Sequence, residues 1–207
     1  IVLFLEAETS ISSLQHGDFQ SLLQTSNQKN VEQLKNWMGN RGVYSEVKDL
    51  WIARGAGLSL DDEAAKKLSH EAWVKGLYED KVRQLISPNM DVLVANSPKE
   101  LGDSVWGLEK IGINKIRTEF PELDGNGIRI GIIDTGIQSH HQELSNKKVV
   151  FKDFVNNISS PYDDQGHGTH VAGTITGNKV GIASESSIIF AKAFAAGGSS
   201  ADSSIIN

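Results

Sequence analysis

Apolar positions in the first 85 residues predict a small α+β unit. Short apolar runs typical of strands alternate with stretches in which apolar residues recur at helical spacing, as Val31, Leu34 and Met38 do. Asp61 stands where it would cap the second helix. The predicted order is strand, helix, strand, strand, helix and strand, over residues 1–6, 20–38, 47–53, 57–60, the stretch that follows Asp61, and 74–78.

A polar stretch at 87–104 separates this unit from a part of different character. Prolines, asparagines and glycines interrupt the stretch, which we interpret as a linker. Beyond it, apolar runs at 128–133 and 187–193 are typical of buried strands, and 169–175 begins a helical pattern. This alternation predicts an α/β fold, a parallel sheet with helices on both faces.

Composition excludes several classes of function. The 207 residues are 39% hydrophobic, which is enough for a packed core, and they carry a net charge of −6 without a basic patch. We therefore expect neither a nucleic-acid partner nor a membrane partner. Cysteine is absent, so the chain builds no disulfide framework, thiolate nucleophile or zinc-thiolate site.

The strand motif GIRIGIID ends in a carboxylate, Asp134, which Thr135 and Gly136 follow. Ligands of open α/β sheets bind at the carboxyl ends of the strands, so Asp134 is a candidate catalytic residue. The motif alone leaves a second interpretation open, in which Asp134 is a turn residue that accepts hydrogen bonds from its own backbone.

His167 stands between two glycines in the motif DDQGHGTHVAGTITG. Gly166 and Gly168 lack the Cβ atoms that would obstruct an extended peptide beside a histidine acting as general base. We therefore expect both glycines to leave room for a substrate. The helix that begins here is predicted to bury its small residues beneath the site.

The segments GIRIGIIDTGIQSHHQEL, DDQGHGTHVAGTITG and VGIASESSIIFAKAF resemble, in order and approximate spacing, the first half of the catalytic domain of the subtilisin-like serine proteases. The resemblance implies a serine endopeptidase that hydrolyses protein or peptide substrates with an Asp-His-Ser triad. In that triad, His167 would take the proton of the serine hydroxyl, and Asp134 would orient the imidazole and stabilise its charged form.

Further residues are expected to support this pair. Thr135 is predicted to donate its hydroxyl to Asp134, and His170 is interpreted as a buried, hydrogen-bonded structural histidine one helical turn after His167. The resemblance also implies that a small-residue edge strand pairs with the substrate backbone. The positions that match this strand are Gly198, Ser199 and Ser200; a flexible surface loop is the alternative.

The N-terminal unit resembles the propeptide of these proteases through its element order and the segments LWIARGAGLSL and WVKGLYEDKVRQL. The resemblance implies a ferredoxin-like α+β domain that assists folding and inhibits by placing its C-terminal tail in the cleft, an intramolecular contact. The implied organisation is a propeptide domain at 1–88, a linker with the maturation site at 89–104, and the N-terminal part of the catalytic domain at 105–207.

Departures from the family pattern set further expectations. The family's nucleophilic serine lies in a Gly-Thr-Ser-Met-Ala block that the 207 residues lack, so we expect this stretch to be inactive alone. The chemistry requires no cofactor. A structural calcium ion is not supported, because Glu143 replaces a common aspartate ligand and 177–181 is short. Secretion is implied by the resemblance.

Other functions fit parts of the sequence. The Asp-Thr-Gly at Asp134 suits an aspartic protease, although no second copy occurs. His167 and His170 would suit a metal site, although the His-Glu-x-x-His arrangement is absent. A non-catalytic propeptide-type inhibitor or a pseudoenzyme fragment is the alternative of a different class.

Overall fold

The computed structural model describes residues 1–5, 16–86 and 106–206, and for residues 16–18 it describes only the backbone. The chain divides into two compact units, one comprising 1–82 with 201–207 and the other 83–200. The predicted linker at 89–104, with its maturation site and the domain boundary after residue 88, lies outside the described residues. These assignments stay predictions.

The elements of the N-terminal unit follow the order that the apolar pattern predicts. They are β1 (Val2–Phe4), α1 (His16–Gly39), β2 (Lys48–Leu50), β3 (Gly55–Gly57), α2 (Asp62–Leu68) and β4 (Val74–Leu77).

These four strands form an antiparallel sheet in the order β2-β3-β1-β4. Two predicted strands are displaced. The strand expected at 47–53 ends at Leu50, because Trp51–Ala53 form a 3₁₀ turn that Arg54 closes in the left-handed region, at a φ of 51°. The strand expected at 57–60 lies at 55–57, where Ala56 pairs with Val2 and is fully buried.

Asp61 caps α2 as predicted, since its carboxylate accepts the backbone N–H of Ala64 at 2.7 Å. Apolar side chains of both helices meet the sheet in one core. Its buried members are Val2, Phe4, Val31, Leu34, Trp37, Met38, Ala56, Ala64 and Leu68.

The remaining elements include the strands that carry the candidate site. In chain order they are β5 (Val82–Gln84), α3 (Trp106–Lys110), α4 (Ile113–Glu119), β6 (Arg129–Asp134), β7 (Val149–Asp153), α5 (His167–Thr176), β8 (Ser187–Lys192), β9 (Ser199–Ala201) and α6 (Asp202–Ile206). Strands β5 and β9 form a two-stranded sheet.

The predicted parallel sheet consists of β6, β8 and β7, in that order. Its register aligns Asp134, Lys192 and Asp153 across the carboxyl ends of the three strands. This edge of the sheet is therefore unusually rich in charge for a buried region, since all three side chains are almost fully buried.

Only one face of this sheet is covered by the described residues. Ala172 of α5 packs there with Ile132, Ile188 and other apolar side chains. On the other face Ile133 is 55% exposed, and Val150 and Ile189 are also exposed. The expectation of helices on both faces therefore does not hold within the described part of the chain. No helix in that part is long and apolar enough to cross a membrane.

Candidate active site

The last residue of β6 brings a carboxylate to the charged edge of the parallel sheet. Asp134 is 5% exposed, and its Oδ1 accepts the backbone N–H of Thr135 at 2.7 Å. Gly136 turns the chain away with a φ of 138°. A Cβ at Gly136 would collide with the carbonyl oxygen of Tyr162, so this turn requires glycine.

His167 is the first residue of α5. Gly166 precedes it in the left-handed region, and the His167 backbone N–H donates to Oε1 of Gln165 at 2.8 Å. This bond satisfies one of the N–H groups that have no partner within a helix. The His167 side chain is 24% exposed, whereas that of Asp134 is 7% exposed. The imidazole is therefore accessible from solvent, whereas the acid that it contacts is buried.

The two side chains are in direct contact. His167 Nδ1 lies 2.8 Å from Asp134 Oδ1 and 2.9 Å from Oδ2. An ionised carboxylate only accepts hydrogen bonds, so Nδ1 must carry the proton. When the imidazole is neutral, this leaves the lone pair on Nε2. The arrangement fixes the tautomer in which Nε2 can accept a proton.

Thr135 does not make the contact predicted for its hydroxyl. The hydroxyl donates to Asp163 Oδ1 at 3.0 Å and accepts the backbone N–H of Gly168 at 2.9 Å. It is the backbone N–H of Thr135 that bonds to Asp134. The turn after β6 decides this outcome, because it places the fully buried Thr135 side chain between the segments that carry Asp163 and Gly168.

The two glycines beside His167 have different roles, and for Gly168 the expectation was wrong. Gly168 is buried, and a Cβ there would collide with the carbonyl oxygen of Gly136 and lie 2.8 Å from Cζ of Phe190. It permits close packing of α5 on the turn after β6, not the approach of a substrate. Gly166 has open space around its Cα, but its φ of 101° favours glycine.

His170 is exposed, which contradicts the prediction of a buried structural histidine. It lies on the same helix as His167, but its side chain turns to solvent while the small residues Gly168 and Ala172 face the sheet. Within the described residues there is no cluster of three or more metal-binding side chains.

The segment predicted to bind substrate forms strand β9 and the turn before it. Gly198 has a φ of 70°, and its carbonyl accepts the backbone N–H of Leu85 at 2.8 Å. The Ser200 hydroxyl donates to the carbonyl of Ala193 at 2.5 Å and is buried. Ser199 is half-buried. The substrate-binding role of Gly198, Ser199 and Ser200 stays a prediction.

Sequence reasoning missed a buried lysine under the site. Lys192 is completely buried, and its ammonium donates to the carbonyls of Thr135 and Phe194 and to Asp164 Oδ1, the last at 2.7 Å. It also lies 4.9 Å from the centre of the Tyr162 ring. The sequence did contain a signal for this site, namely a lysine at the end of the apolar run SIIFAK. A lysine buried with such a strand needs hydrogen-bond or charge partners nearby.

Asp153, the third charged residue at this edge, organises the loop after β7. Burial raises the pKa of its carboxyl, but hydrogen bonds from the N–H groups of Asn156, Val155 and Ile158 and from the Tyr162 hydroxyl outweigh that effect. The pKa is therefore below its usual range. Its oxygens are occupied by these donors, which indicates a structural role.

Glu143, the position relevant to calcium, is engaged by the loop after α5. Its Oε2 accepts the backbone N–H groups of Lys179 at 2.7 Å and Val180 at 3.2 Å. The Lys179 bond is the main reason why the pKa of this carboxyl lies below its usual range. These bonds hold the Glu143 carboxylate against the loop after α5, and the expectation about calcium stays a prediction.

Several known proteins are similar to this chain. The model of the subtilase family matches residues 125–207, a range that includes Asp134 and His167. Alkaline serine exoprotease A of Vibrio alginolyticus is 29% identical over 80% of this chain and 31% of its own length. Subtilisin-like protease 5 of Arthroderma gypseum is 31% identical over 82% of this chain and 40% of its own length.

Thermitase of Thermoactinomyces vulgaris is 41% identical over 39% of this chain and 31% of its own length. A solved structure of a cold adapted subtilisin-like serine proteinase is 38% identical, covers 40% of this chain and 30% of that chain, and superimposes with a TM-score of 0.38. The chain thus spans between 31% and 40% of the length of the three curated relatives named here. Residues 125–207 thus match the subtilase family, and the relatives named here support a subtilase fragment.

Proposed function

We propose that this chain carries the acid and the base of a serine endopeptidase precursor, with Asp134 and His167 as two members of an Asp-His-Ser triad. The observation that carries the proposal is the hydrogen bond from His167 Nδ1 to Asp134, at 2.8 Å. This bond directs the basic nitrogen, Nε2, away from the acid and makes it available to a hydroxyl nucleophile.

In the proposed reaction, Nε2 of His167 removes the proton of a serine hydroxyl as its oxygen attacks the peptide carbonyl. The same nitrogen then protonates the leaving amine. Asp134 stabilises the imidazolium in both steps. The serine belongs to the Gly-Thr-Ser-Met-Ala block expected outside the 207 residues, so the reaction is assigned to the whole protein.

The test uses the full-length gene product. We expect it to hydrolyse a peptide substrate and to be labelled by a fluorophosphonate, and we expect His167→Ala to abolish both. Inhibition by pepstatin without fluorophosphonate labelling would instead favour an aspartic protease. Absence of both labelling and turnover, or a gene that encodes no serine block, would favour a pseudoenzyme.

The N-terminal unit is proposed to be the propeptide. Its βαββαβ order and the sheet order β2-β3-β1-β4 support a ferredoxin-like domain. The backbone bond from Leu85 to Gly198 supports the proposal that the segment after this unit occupies the edge strand assigned to substrate. An occupied edge strand cannot pair with a second extended peptide, so this contact would inhibit the enzyme.

Residues 1–88 expressed alone test the second candidate, a non-catalytic inhibitor. We expect them to inhibit a complete subtilase and to restore activity when the protein that lacks residues 1–88 is refolded in their presence. If residues 1–88 inhibit that subtilase but the full-length product hydrolyses no peptide, only the inhibitor function would be supported.

Substrate class and location follow from this proposal. Unfolded or extended segments of proteins and peptides are the proposed substrates, because recognition by strand addition requires an extended backbone. We propose an extracellular protein that needs no cofactor for chemistry and has neither nucleic-acid nor membrane partners. Retention of peptide hydrolysis after treatment with a chelator, together with recovery of the protein in the culture medium, would support these assignments.

A further inference from the structure

Five hydrogen bonds converge on the carboxylate of Asp163, a residue that the sequence patterns do not single out. Oδ1 accepts the Thr135 hydroxyl at 3.0 Å and the N–H groups of Gln165 at 3.1 Å and Gly166 at 2.8 Å. Oδ2 accepts the N–H of Thr169 at 2.9 Å and also its hydroxyl. The donors come from both segments that present the candidate catalytic pair.

Two hydroxyls link these segments in reciprocal fashion. The hydroxyl of Thr135, in the turn after β6, accepts the N–H of Gly168 in α5 at 2.9 Å. The hydroxyl of Thr169, in α5, accepts the N–H of Gln138, after β6, at 3.0 Å. Each hydroxyl then donates its own proton to Asp163. Only an ionised carboxylate accepts both protons together with three N–H groups.

The loop that carries Asp163 is also bonded to the backbone after β6. Gly136 forms an isolated β-bridge with Asp163, and the N–H of Ile137 donates to the carbonyl of Tyr162 at 3.0 Å. Both the side chain of Asp163 and the backbone of its loop therefore bond to the segment that follows β6.

We propose that Asp163 is a positioning residue for the Asp134–His167 pair, because its ionised carboxylate holds the end of β6 and the beginning of α5 in one fixed relation. Thr135 directly follows Asp134, and Gly168 and Thr169 directly follow His167. A shift of either segment would lengthen the bond between Nδ1 and the acid. The importance of this role for catalysis rests on the proposed function.

The electrostatics of the site agree with this role. Burial raises the pKa of the Asp163 carboxyl, but the hydrogen bonds from the Thr169 hydroxyl and from the N–H groups of Gly166, Thr169 and Gln165 outweigh it. The pKa is therefore held below its usual range, and the group is ionised near neutral pH. Asparagine has the same shape but presents one amide nitrogen that cannot accept, so it cannot satisfy both hydroxyls.

The test measures the His167 tautomer by ¹⁵N NMR of the 207-residue chain, at a pH where the imidazole is neutral. We expect the unaltered chain to show the pattern of an imidazole protonated at Nδ1. Asp163→Asn is expected to lose this pattern and to show a mixture of tautomers. Asp134→Asn, which is expected to favour the Nε2–H tautomer, is the positive control for loss of the Nδ1–H pattern. A folded Asp163→Asn variant that keeps the Nδ1–H pattern would overturn the proposal.

A second pair of variants covers the case in which Asp163→Asn does not fold. Thr169→Ser keeps the bridging hydroxyl, and Thr169→Val removes it at similar size. The proposal expects the tautomer pattern to survive in the serine variant and to weaken in the valine variant while both stay folded. Equal patterns in the two variants, or unfolding of Thr169→Val, would overturn it by leaving only a structural role.

These outcomes are separate from those of the proposed function, because the NMR signal requires no turnover. A tautomer that depends on Asp163 in a protein that hydrolyses no peptide would support the positioning role and reject the protease. Peptide hydrolysis by a protein whose His167 tautomer is unchanged in Asp163→Asn would support the protease and reject the positioning role.

Discussion

Nδ1 of His167 lies 2.8 Å from Oδ1 of Asp134, although 33 positions separate the two residues in the sequence. The acid ends a parallel strand, and the base begins the helix that packs on one face of that strand. Two rigid elements, not a flexible loop, therefore set this distance. Such placement is typical of sites that must hold a fixed geometry.

Replacing the acid is expected to disable catalysis without unfolding the protein. Asp134→Asn offers an amide in place of the acceptor that fixes Nδ1–H, so the imidazole would favour the wrong tautomer. We expect kcat of the full-length enzyme to fall by about 10⁴-fold, a magnitude known from a serine protease of another fold. Steady-state peptide hydrolysis measures the effect.

Asp124→Asn is the matched control for this substitution, because Asp124 accepts an N–H from Asn126 in the turn before β6 and does not contact His167. Its kcat should equal that of the unaltered enzyme. Equal rates for the unaltered enzyme and Asp134→Asn would contradict the assignment of the acid.

Two glycines of α5 are expected to respond to alanine in opposite directions. Gly168→Ala forces a Cβ into the carbonyl of Gly136 and the ring of Phe190, and we expect it to lower the free energy of unfolding by about 3 kcal/mol. Gly173→Ala meets no atom within 4 Å, and we expect a gain of about 0.5–1 kcal/mol from the better helix propensity of alanine. Urea unfolding of both variants measures the difference, and a stable Gly168→Ala variant would contradict the packing described above.

The buried ammonium of Lys192 is expected to stabilise the carboxyl edge of the parallel sheet. Lys192→Met fills a similar volume but leaves the carbonyls of Thr135 and Phe194 and the carboxylate of Asp164 without this donor. We expect a loss of about 3 kcal/mol in the free energy of unfolding, the lower end for a broken buried pair, because Asp164 is 34% exposed and water can solvate it. Chemical denaturation measures this loss.

Lys148→Met is the control for Lys192, because Lys148 is an exposed lysine in the same unit. Its free energy of unfolding should change by less than about 0.5 kcal/mol. A similar change in both variants would show that the buried ammonium adds nothing.

Low pH is expected to remove the contribution of the Asp153 carboxylate to the free energy of unfolding. The folded pKa of this carboxyl is lowered, so its stabilisation is complete above the unfolded value of about 3.9 and is lost as the pH falls through the folded pKa. Asp153→Asn should lower stability at neutral pH and flatten its decline below about pH 4. Urea unfolding of both proteins across this range tests the sign, and parallel curves would reject it.

Inhibition by the N-terminal part is expected to depend on the backbone of residue 85. Leu85→Pro removes the N–H that donates to Gly198, at a cost of about 1 kcal/mol, which corresponds to roughly fivefold weaker inhibition. Leu85→Ala keeps this donor and serves as the control. Equal inhibition constants for the proline and alanine variants of the isolated 1–88 segment would argue against strand pairing.

Local patterns predicted the elements well where the chain alternates or repeats regularly. The order of strands and helices through β4, the cap at Asp61 and the strand that ends at Asp134 all follow from periodicity and side-chain chemistry. The displaced strand at 55–57 was not predictable, because pairing of Ala56 with Val2 decides it. Strand register depends on the partner strand, which local sequence does not contain.

The sequence by itself determined which chemical groups are present and where they stand along the chain: an aspartate at the end of an apolar strand and a histidine between two glycines. Only the tertiary structure decided which donors meet which acceptors. In the folded chain the Thr135 hydroxyl donates to Asp163, and His170 is exposed to solvent. The ammonium of Lys192 lies under the turn after β6. The physical reason is that a buried polar group must find its partner among atoms brought close by packing, and packing joins residues that are distant in the sequence.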